Sequence, residues 1–269
     1  MLPPEHDLEV RSRLPAKNTR KPPLLFVHGG FCDSWCWEPY FLPWFAARGY
    51  PSHALSLRGH GASGGKDSMF VAGIDDYAAD VEHIASRFPV PPVLIGHSMG
   101  AAIIERMMST RPLRAAALLA PLPPGGFGTM MSRLAAQQPE YLMRMQSFDP
   151  RVNVDIMHVL RPMYFSDAVS PALLAQSARH LGPESPRALM DLTLRLHGGP
   201  PLDGIRPLVL GAQDDRVCSP ADVMATATLY GVKATMIPGL AHMMMLDPEY
   251  ETVARALLAW LETELVAKA

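Results

Sequence analysis

The clearest structural signal in the chain is Val93-Leu94-Ile95-Gly96-His97-Ser98-Met99-Gly100. A short apolar run ends at Gly96, and a helical pattern begins at Met99. A G-x-S-x-G spacing between a strand and a helix is typical of a nucleophile elbow, a turn so tight that only small residues fit two positions before and after the serine. Such a turn strains the serine backbone and lifts the hydroxyl above the sheet. Ser98 is therefore the candidate nucleophile.

Short apolar runs bounded by glycine and proline recur on both sides of this turn. Runs that are apolar on both faces are typical of strands in a parallel sheet that is covered on both sides. Because helical patterns separate these runs, the sequence predicts a doubly wound, mostly parallel α/β sheet. The predicted strands are 24–27, 52–57, 93–95, 115–120, 208–210 and 234–237, and the predicted helices are 75–88, 99–109, 220–230 and 248–266.

The alternation stops between about Pro121 and Pro201, where the pattern is helical. We interpret 121–201 as a helical cap inserted between two parts of an α/β core, 1–120 and 202–269. An insertion of this kind usually lies over the carboxyl edge of the sheet, where ligands bind. Methionine side chains can line an adaptable apolar pocket there, or simply fill gaps in a helical core. The segment contains Met130, Met131, Met143, Met145, Met157, Met163 and Met190.

The composition argues against several classes of protein. The chain has 269 residues, of which 48% are hydrophobic and 19% are charged, with a net charge of −2. This is enough for a sizeable core, and no basic block suggests a nucleic-acid partner. No apolar stretch approaches the ~20 residues of a membrane span, and the first residues do not resemble a signal peptide. Three cysteines cannot all pair, so we expect a cytoplasmic protein. Cys32 and Cys36 lack a partner at zinc-like spacing, so we expect no metal site.

A serine hydroxyl needs a base to remove its proton, and the base needs a carboxylate to orient it. Of the ten histidines, only His242 lies between the last predicted strand and the last helix. The loop after strand 208–210 offers two adjacent carboxylates, Asp214 and Asp215. Serine, acid and histidine then follow in the order expected for this architecture. We favour Asp215, because the apolar Val217 two positions later can lie beneath the loop, and Asp214 stays as the alternative.

Two backbone N–H groups must bind the oxyanion of a tetrahedral intermediate. Met99, which follows the candidate nucleophile, supplies one. The second is expected from the loop His28-Gly29-Gly30-Phe31, where glycine lets the backbone approach a substrate. We favour the N–H of Gly30.

These segments together resemble the α/β-hydrolase superfamily over nearly the whole chain. Residues 28–37 are similar to the H-G-x-x-x-x-x-W-x-W signature of its methylesterase and hydroxynitrile-lyase branch and of related bacterial esterases. The resemblance implies an α/β-hydrolase fold, an oxyanion N–H at Gly30 and no cofactor. It also implies that Trp35 and Trp37 pack in the core near the first helix.

The sequence departs from that branch at two places. Ser56 stands two residues before Arg58, where the family often has an aspartate, and we expect only a local structural effect. Hydroxynitrile lyases carry a lysine directly after the catalytic histidine, whereas Met243 follows His242 here. The resemblance therefore does not favour cyanohydrin cleavage.

The sequence thus predicts a serine hydrolase that cleaves carboxylic esters of apolar small molecules through an acyl-enzyme intermediate. The same three side chains would also serve a thioesterase, a lactonase, a C–C hydrolase or a perhydrolase, since fold and triad do not determine the substrate. The alternative from another class is a non-catalytic α/β-hydrolase that binds a ligand as a receptor. The sequence does not determine an oligomeric state.

Overall fold

The computed structural model describes residues 7–140, 156–194, 199–202 and 204–267. Within them, one sheet of seven strands has the order β1-β3-β2-β4-β5-β6-β7. Strand β1 runs antiparallel to β3, and every other pair in the sheet is parallel. The strands are β1 (Val10–Arg13), β2 (Leu24–Val27), β3 (Ser52–Leu55), β4 (Val93–His97), β5 (Ala116–Leu119), β6 (Leu208–Ala212) and β7 (Ala234–Ile237).

Strands β2, β4, β5 and β6 form the apolar centre of the sheet, and every one of their residues is buried. Full burial on both faces explains why these strands are continuous apolar runs in the sequence. The prediction of a doubly wound, mostly parallel α/β fold is confirmed. The prediction missed β1, because this edge strand is only half-buried and carries Arg11 and Arg13, which pair with Glu38.

Helices cover the sheet. Helices α2 and α3 pack on each other, as do α1 and α9, and α8 lies against β6 and β7. Residues 34–37, 69–71 and 244–246 form single turns of 3₁₀ helix. Among the described residues, the helices are α1 (Phe41–Ala46), α2 (Ile74–Ala85), α3 (Met99–Met108), α4 (Phe127–Gln137), α5 (Ile156–Tyr164), α6 (Pro171–Ala178), α7 (Pro186–Thr193), α8 (Pro220–Leu229) and α9 (Tyr250–Ala267).

Helices α6, α7 and α8 each begin at a Ser-Pro dipeptide. Proline suits the first helical position because its fixed φ is helical and it has no N–H to leave unpaired. The preceding serine hydroxyl accepts a hydrogen bond from a backbone N–H of the first turn, which satisfies one of the free donors at the helix start. The capping serines are Ser170, Ser185 and Ser219.

Helices α4 to α7 lie between β5 and β6 in the chain, within the segment 121–201, which we call the insert. Its described residues contain no strand, as the sequence predicts. Helix α7 contacts α4 and also α2 of the sheet-covering layer. In the part of the chain that the structure describes, no helix combines the length and apolar character that crossing a membrane requires.

Candidate active site

Ser98 occupies the sharp turn between β4 and α3. Its backbone has φ 53° and ψ −117°, a conformation that is costly for a residue with a Cβ. The two flanking glycines are required by close backbone contacts. A Cβ at Gly96 would lie 2.3 Å from the carbonyl oxygen of Gly100, and one at Gly100 would lie 2.4 Å from that of Val27. The local geometry is that of a nucleophile elbow.

Asp215 and His242 form a buried pair. Asp215 lies in the loop after β6 and His242 in the loop after β7, and 2.8 Å separates Asp215 Oδ2 from His242 Nδ1. The other carboxylate oxygen accepts hydrogen bonds from the N–H groups of Val217 at 2.8 Å and Cys218 at 2.9 Å. Because a carboxylate only accepts, Nδ1 of His242 donates, and in the neutral tautomer with this proton Nε2 is an acceptor.

The structure therefore separates the two candidate carboxylates. Asp215 is 4% exposed and bonded to His242, whereas the neighbouring Asp214 is exposed. Val217, two residues after Asp215, is buried and lines the same cavity as Ser98.

His97 supports the loop that carries His242. Its Nε2 lies 3.0 Å from the carbonyl oxygen of His242, to which it donates. Burial is the main cause that lowers the pKa of His97 well below its ordinary value, and the nearby His242 ring adds to it. The His97 ring is therefore neutral. The ring centroids of His97 and His242 are 4.6 Å apart. These contacts help to fix the backbone at His242.

Ser98 and His242 line the same cavity, of about 300 Å³, together with Gly30 and Met99. A smaller cavity of about 50 Å³ adjoins it and shares Gly30, Phe31 and Tyr164 with it. The remaining apolar side chains around the larger cavity include Leu122, Phe127, Met130, Met131, Leu134, Leu189, Leu192, Val217 and Met243. The cavity is thus lined mostly by apolar side chains, with a few polar groups that include Ser98 and His242.

The methionines of the insert have different positions. Met130 and Met131 line the larger cavity, Met163 is buried, and Met190 is 55% exposed. Met143 and Met145 lie outside the described residues, as does the side chain of Met157. Methionine content alone therefore did not identify the lining residues.

The two proposed oxyanion donors belong to residues that line the larger cavity, Gly30 and Met99. Met99 is the first residue of α3, so its N–H has no carbonyl partner in a preceding helical turn. The N–H of Gly30 makes no hydrogen bond to any described residue. A Cβ at Gly30 would lie 3.8 Å from Sδ of Met99 and 3.5 Å from Oε2 of Glu184.

Glu184 is a residue that the sequence analysis missed. It belongs to the insert, its side chain is fully buried, and it accepts a hydrogen bond from the N–H of Phe31 at 3.2 Å. His60 and Tyr77 also bond to it, at 3.1 and 2.7 Å. The only sequence signal was its place between two prolines, directly before a Ser-Pro helix start, and that signal indicates a turn rather than a site.

Trp35, Trp37 and Ser56, which the sequence comparison singled out, make packing and hydrogen-bond contacts within the protein. Trp37 packs on Phe26 with ring centroids 4.9 Å apart, whereas Trp35 stacks on His180 of the insert at 4.4 Å. The Ser56 hydroxyl forms a hydrogen bond of 2.8 Å with the hydroxyl of Ser34, and both serines are buried. Trp35 is therefore a contact between the insert and the core.

Within the described ranges, no group of three or more His, Cys, Asp and Glu side chains is arranged to hold a metal ion. Cys32, Cys36 and Cys218 are all buried and free of disulfides.

The loops after β4 and β7 place a serine and a histidine on the wall of one cavity, and an aspartate from the loop after β6 is hydrogen-bonded to the histidine. A mostly parallel sheet with these groups after these strands is the architecture of α/β hydrolases. The model of the alpha/beta hydrolase family matches residues 24–256. The chain belongs to this family of hydrolases.

Similar proteins include lipases, esterases and bromoperoxidases. A monoacylglycerol lipase of Mycolicibacterium smegmatis is 28% identical over 245 residues, which cover 82% of this chain and 81% of the lipase. A thermophilic esterase from Thermogutta terrifontis superposes with a TM-score of 0.70 at 19% identity, covering 96% of this chain and 93% of the esterase. A bromoperoxidase from Bacillus anthracis also gives 0.70, at 16% identity and 96% coverage of both chains.

Proposed function

We propose that this protein is a serine hydrolase that cleaves carboxylic esters of apolar small molecules through an acyl-enzyme intermediate. The buried hydrogen bond of 2.8 Å between Asp215 and His242, beside the cavity that Ser98 lines, is the observation that carries the proposal. The similarity to a monoacylglycerol lipase and to a solved esterase adds support.

In the proposed reaction, the Ser98 hydroxyl attacks the ester carbonyl carbon while Nε2 of His242 takes its proton. Asp215 holds the tautomer in which Nε2 can accept, and it stabilises the imidazolium that results. The N–H groups of Gly30 and Met99 bind the oxyanion. His242 then gives the proton to the leaving alcohol, and a water activated by the same histidine hydrolyses the acyl-Ser98 ester. Atoms and charges balance without a cofactor.

The proposed substrate is an ester with one sizeable apolar group and one small group. The larger cavity is lined mostly by apolar side chains, and the adjoining cavity is about six times smaller, at about 50 against 300 Å³. In this proposal the insert acts as a cap, because Met130, Met131 and Leu189 contribute to the larger cavity. A medium-chain or aromatic ester meets these requirements.

A fluorophosphonate probe tests the proposal. We expect one probe per protein on Ser98, and no labelling of Ser98→Ala. Ser86→Ala is a matched control, since Ser86 is exposed on the surface and its removal should leave labelling intact. A folded wild type that stays unlabelled would instead support the non-catalytic receptor.

A panel of p-nitrophenyl esters, thioesters and lactones then defines the substrate class. We expect kcat/KM to rise from acetyl to medium-chain acyl esters, because each buried methylene contributes about 0.8 kcal/mol of transfer free energy. A strong preference for acetyl over longer groups would contradict the proposed apolar cavity, and faster cleavage of thioesters or lactones would reassign the substrate.

A further inference from the structure

The insert holds Phe31, the residue that follows the proposed oxyanion donor, by both of its backbone groups. The N–H of Phe31 donates to Oε2 of Glu184 at 3.2 Å, and its carbonyl accepts from the N–H of Gly182 at 2.9 Å. Phe31 has φ 64°, which is uncommon for a residue with a side chain. Such a conformation persists only where the surroundings determine it. Two hydrogen bonds from the insert are part of these surroundings.

Glu184 is fully satisfied in this position. Each of its carboxylate oxygens accepts two hydrogen bonds, and the side chain is inaccessible to solvent. Oε2 accepts from Phe31 and from His60, and Oε1 accepts from the Tyr77 hydroxyl at 2.7 Å and from the Ser185 N–H at 2.7 Å. Four hydrogen bonds hold this buried carboxylate in one position. A carboxylate held in this way can in turn hold a backbone N–H that donates to it.

The charge of Glu184 is neutralised locally. Nδ1 of His60 lies 3.0 Å from the carbonyl oxygen of Arg58, which can only accept, so Nδ1 donates and Nε2 must carry the proton that faces Glu184. Burial alone would lower the pKa of His60, but the charge of Glu184 and the hydrogen bonds outweigh burial and raise it. The pair is an imidazolium and a carboxylate, so the carboxylate does not leave an uncompensated negative charge beside the oxyanion site.

We propose that Glu184 is a positioning residue that sets the oxyanion loop from the insert. By binding the N–H of Phe31 it fixes the peptide next to the N–H of Gly30 and leaves that group directed to the cavity. This inference rests on the proposed function, because it assigns Gly30 the role of oxyanion donor. Glu184 is not among the residues that line the larger or the smaller cavity. In this proposal it therefore acts through Phe31 and does not touch the substrate.

Glu184→Gln separates this role from a purely structural one. The amide NH₂ must replace one of two oxygens that each face two donors. If it replaces Oε2, it faces the N–H of Phe31 and cannot accept from it; if it replaces Oε1, it faces the N–H of Ser185. In both arrangements the imidazolium of His60 loses its countercharge, and Phe31 loses a charged acceptor. Either arrangement therefore weakens the hold on the loop while the side-chain volume is nearly unchanged.

Asp191→Asn is the matched control. Asp191 is another buried carboxylate of the insert, and it accepts a hydrogen bond from a core backbone N–H, that of Ile74 at 3.1 Å. It makes the same kind of contact between insert and core, but on a segment that is not part of the oxyanion loop. A loss of stability alone would affect both variants.

The experiment measures kcat and KM for a p-nitrophenyl ester and the Ki of a trifluoromethyl ketone, whose serine adduct carries an oxyanion. Each variant is assayed well below its own Tm. Removing one oxyanion donor costs about 10²–10³ in kcat, so displacing one should cost roughly 10- to 100-fold. For Glu184→Gln we expect that loss in kcat, a KM within about threefold of wild type, and a Ki raised by the same factor as kcat falls. Asp191→Asn should keep kcat and Ki near wild type.

A Glu184→Gln variant with wild-type kcat and Ki overturns the inference while the proposed function stands. Equal losses in Glu184→Gln and Asp191→Asn overturn it too, because they would reveal a general effect of the insert. A wild type that hydrolyses no ester contradicts the proposed function itself.

If Glu184→Gln does not fold, Gly182→Pro provides the second test. Proline has no N–H to donate to Phe31, and its ring Cδ takes the place of the amide hydrogen, so the carbonyl of Phe31 must move away from the insert. A Cβ at position 182 would meet no atom within 4 Å. The same loss in kcat and the same rise in Ki are expected, and wild-type values in this folded variant would overturn the inference.

Discussion

Replacing Asp215 by asparagine should trap His242 in the wrong tautomer. Oδ1 of Asp215 accepts from two backbone N–H groups, those of Val217 and Cys218, at 2.8 and 2.9 Å. An amide NH₂ at that position would oppose two buried donors, each of which costs about 1–3 kcal/mol when left unpaired. The asparagine must therefore keep its oxygen there and turn its NH₂ to His242. Nδ1 then has to accept, and the ring proton moves to Nε2.

The size of the effect follows from this change of proton position. A histidine protonated at Nε2 cannot accept the proton of Ser98, so general-base catalysis is lost while the overall geometry is kept. The corresponding change in a Ser-His-Asp triad lowers kcat by about 10⁴. At 1.36 kcal/mol for each factor of ten, this is a transition-state penalty of about 5 kcal/mol.

The assay compares kcat/KM of Asp215→Asn and Asp214→Asn on one p-nitrophenyl ester, with active sites counted by the acyl-enzyme burst. Asp214 is exposed, and the carboxylate that bonds to His242 is that of Asp215, so the Asp214 variant should stay within about twofold of wild type, as for most surface changes. The reasoning is refuted if Asp215→Asn loses less than about tenfold, or if Asp214→Asn loses as much.

Two further predictions concern Gly100 and Glu105, both in helix α3, which follows Ser98. Gly100→Ala places a Cβ 2.4 Å from the carbonyl oxygen of Val27, so we expect a loss of about 1–3 kcal/mol or more in the free energy of unfolding by urea, whereas Gly128→Ala in α4, 3.5 Å from its nearest neighbour, should be neutral or stabilising. Burial raises the pKa of Glu105 to about 8 against a partly opposing hydrogen bond from Tyr230. Because the folded state then binds the proton more tightly than the unfolded state, stability should fall as pH rises from about 5 to 8, and Glu105→Gln should abolish that part of the slope in thermal melts; an unchanged slope would contradict it.

The parts of the fold that the sequence predicted are those governed by local rules. Buried strands need continuous apolar runs, and the elbow needs glycine at 96 and 100, so both are visible as patterns. Strand β1 has no such pattern, because it pairs at an edge through its backbone while its arginines reach solvent and Glu38. Strand β1 forms because it pairs with β3, and a local sequence pattern carries no information about that pairing.

The candidate site divides in the same way. Ser98 and His242 were predicted from motif and position, and the structure brings Asp215 rather than Asp214 to His242. Glu184 was missed, because three of its four donors come from distant places along the chain, 107, 124 and 153 residues away. In the sequence, Glu184 cannot be told apart from a solvated glutamate, because the residues that bind it have no characteristic spacing along the chain.

The contact between Glu184 and Phe31 has a consequence for how this hydrolase can change. In a fold where the insert only covers the cavity, residues of the insert affect binding of substrate, and residues of the sheet loops affect the chemical step. Here one segment of the insert holds the backbone next to the proposed oxyanion donor, while Met130 and Met131, on another segment, line the cavity. Substitutions at the two methionines can therefore alter the fit of the apolar group without displacing the loop. Substitutions at 182 and 184 act on the chemical step, so the two properties vary through different parts of the same insert.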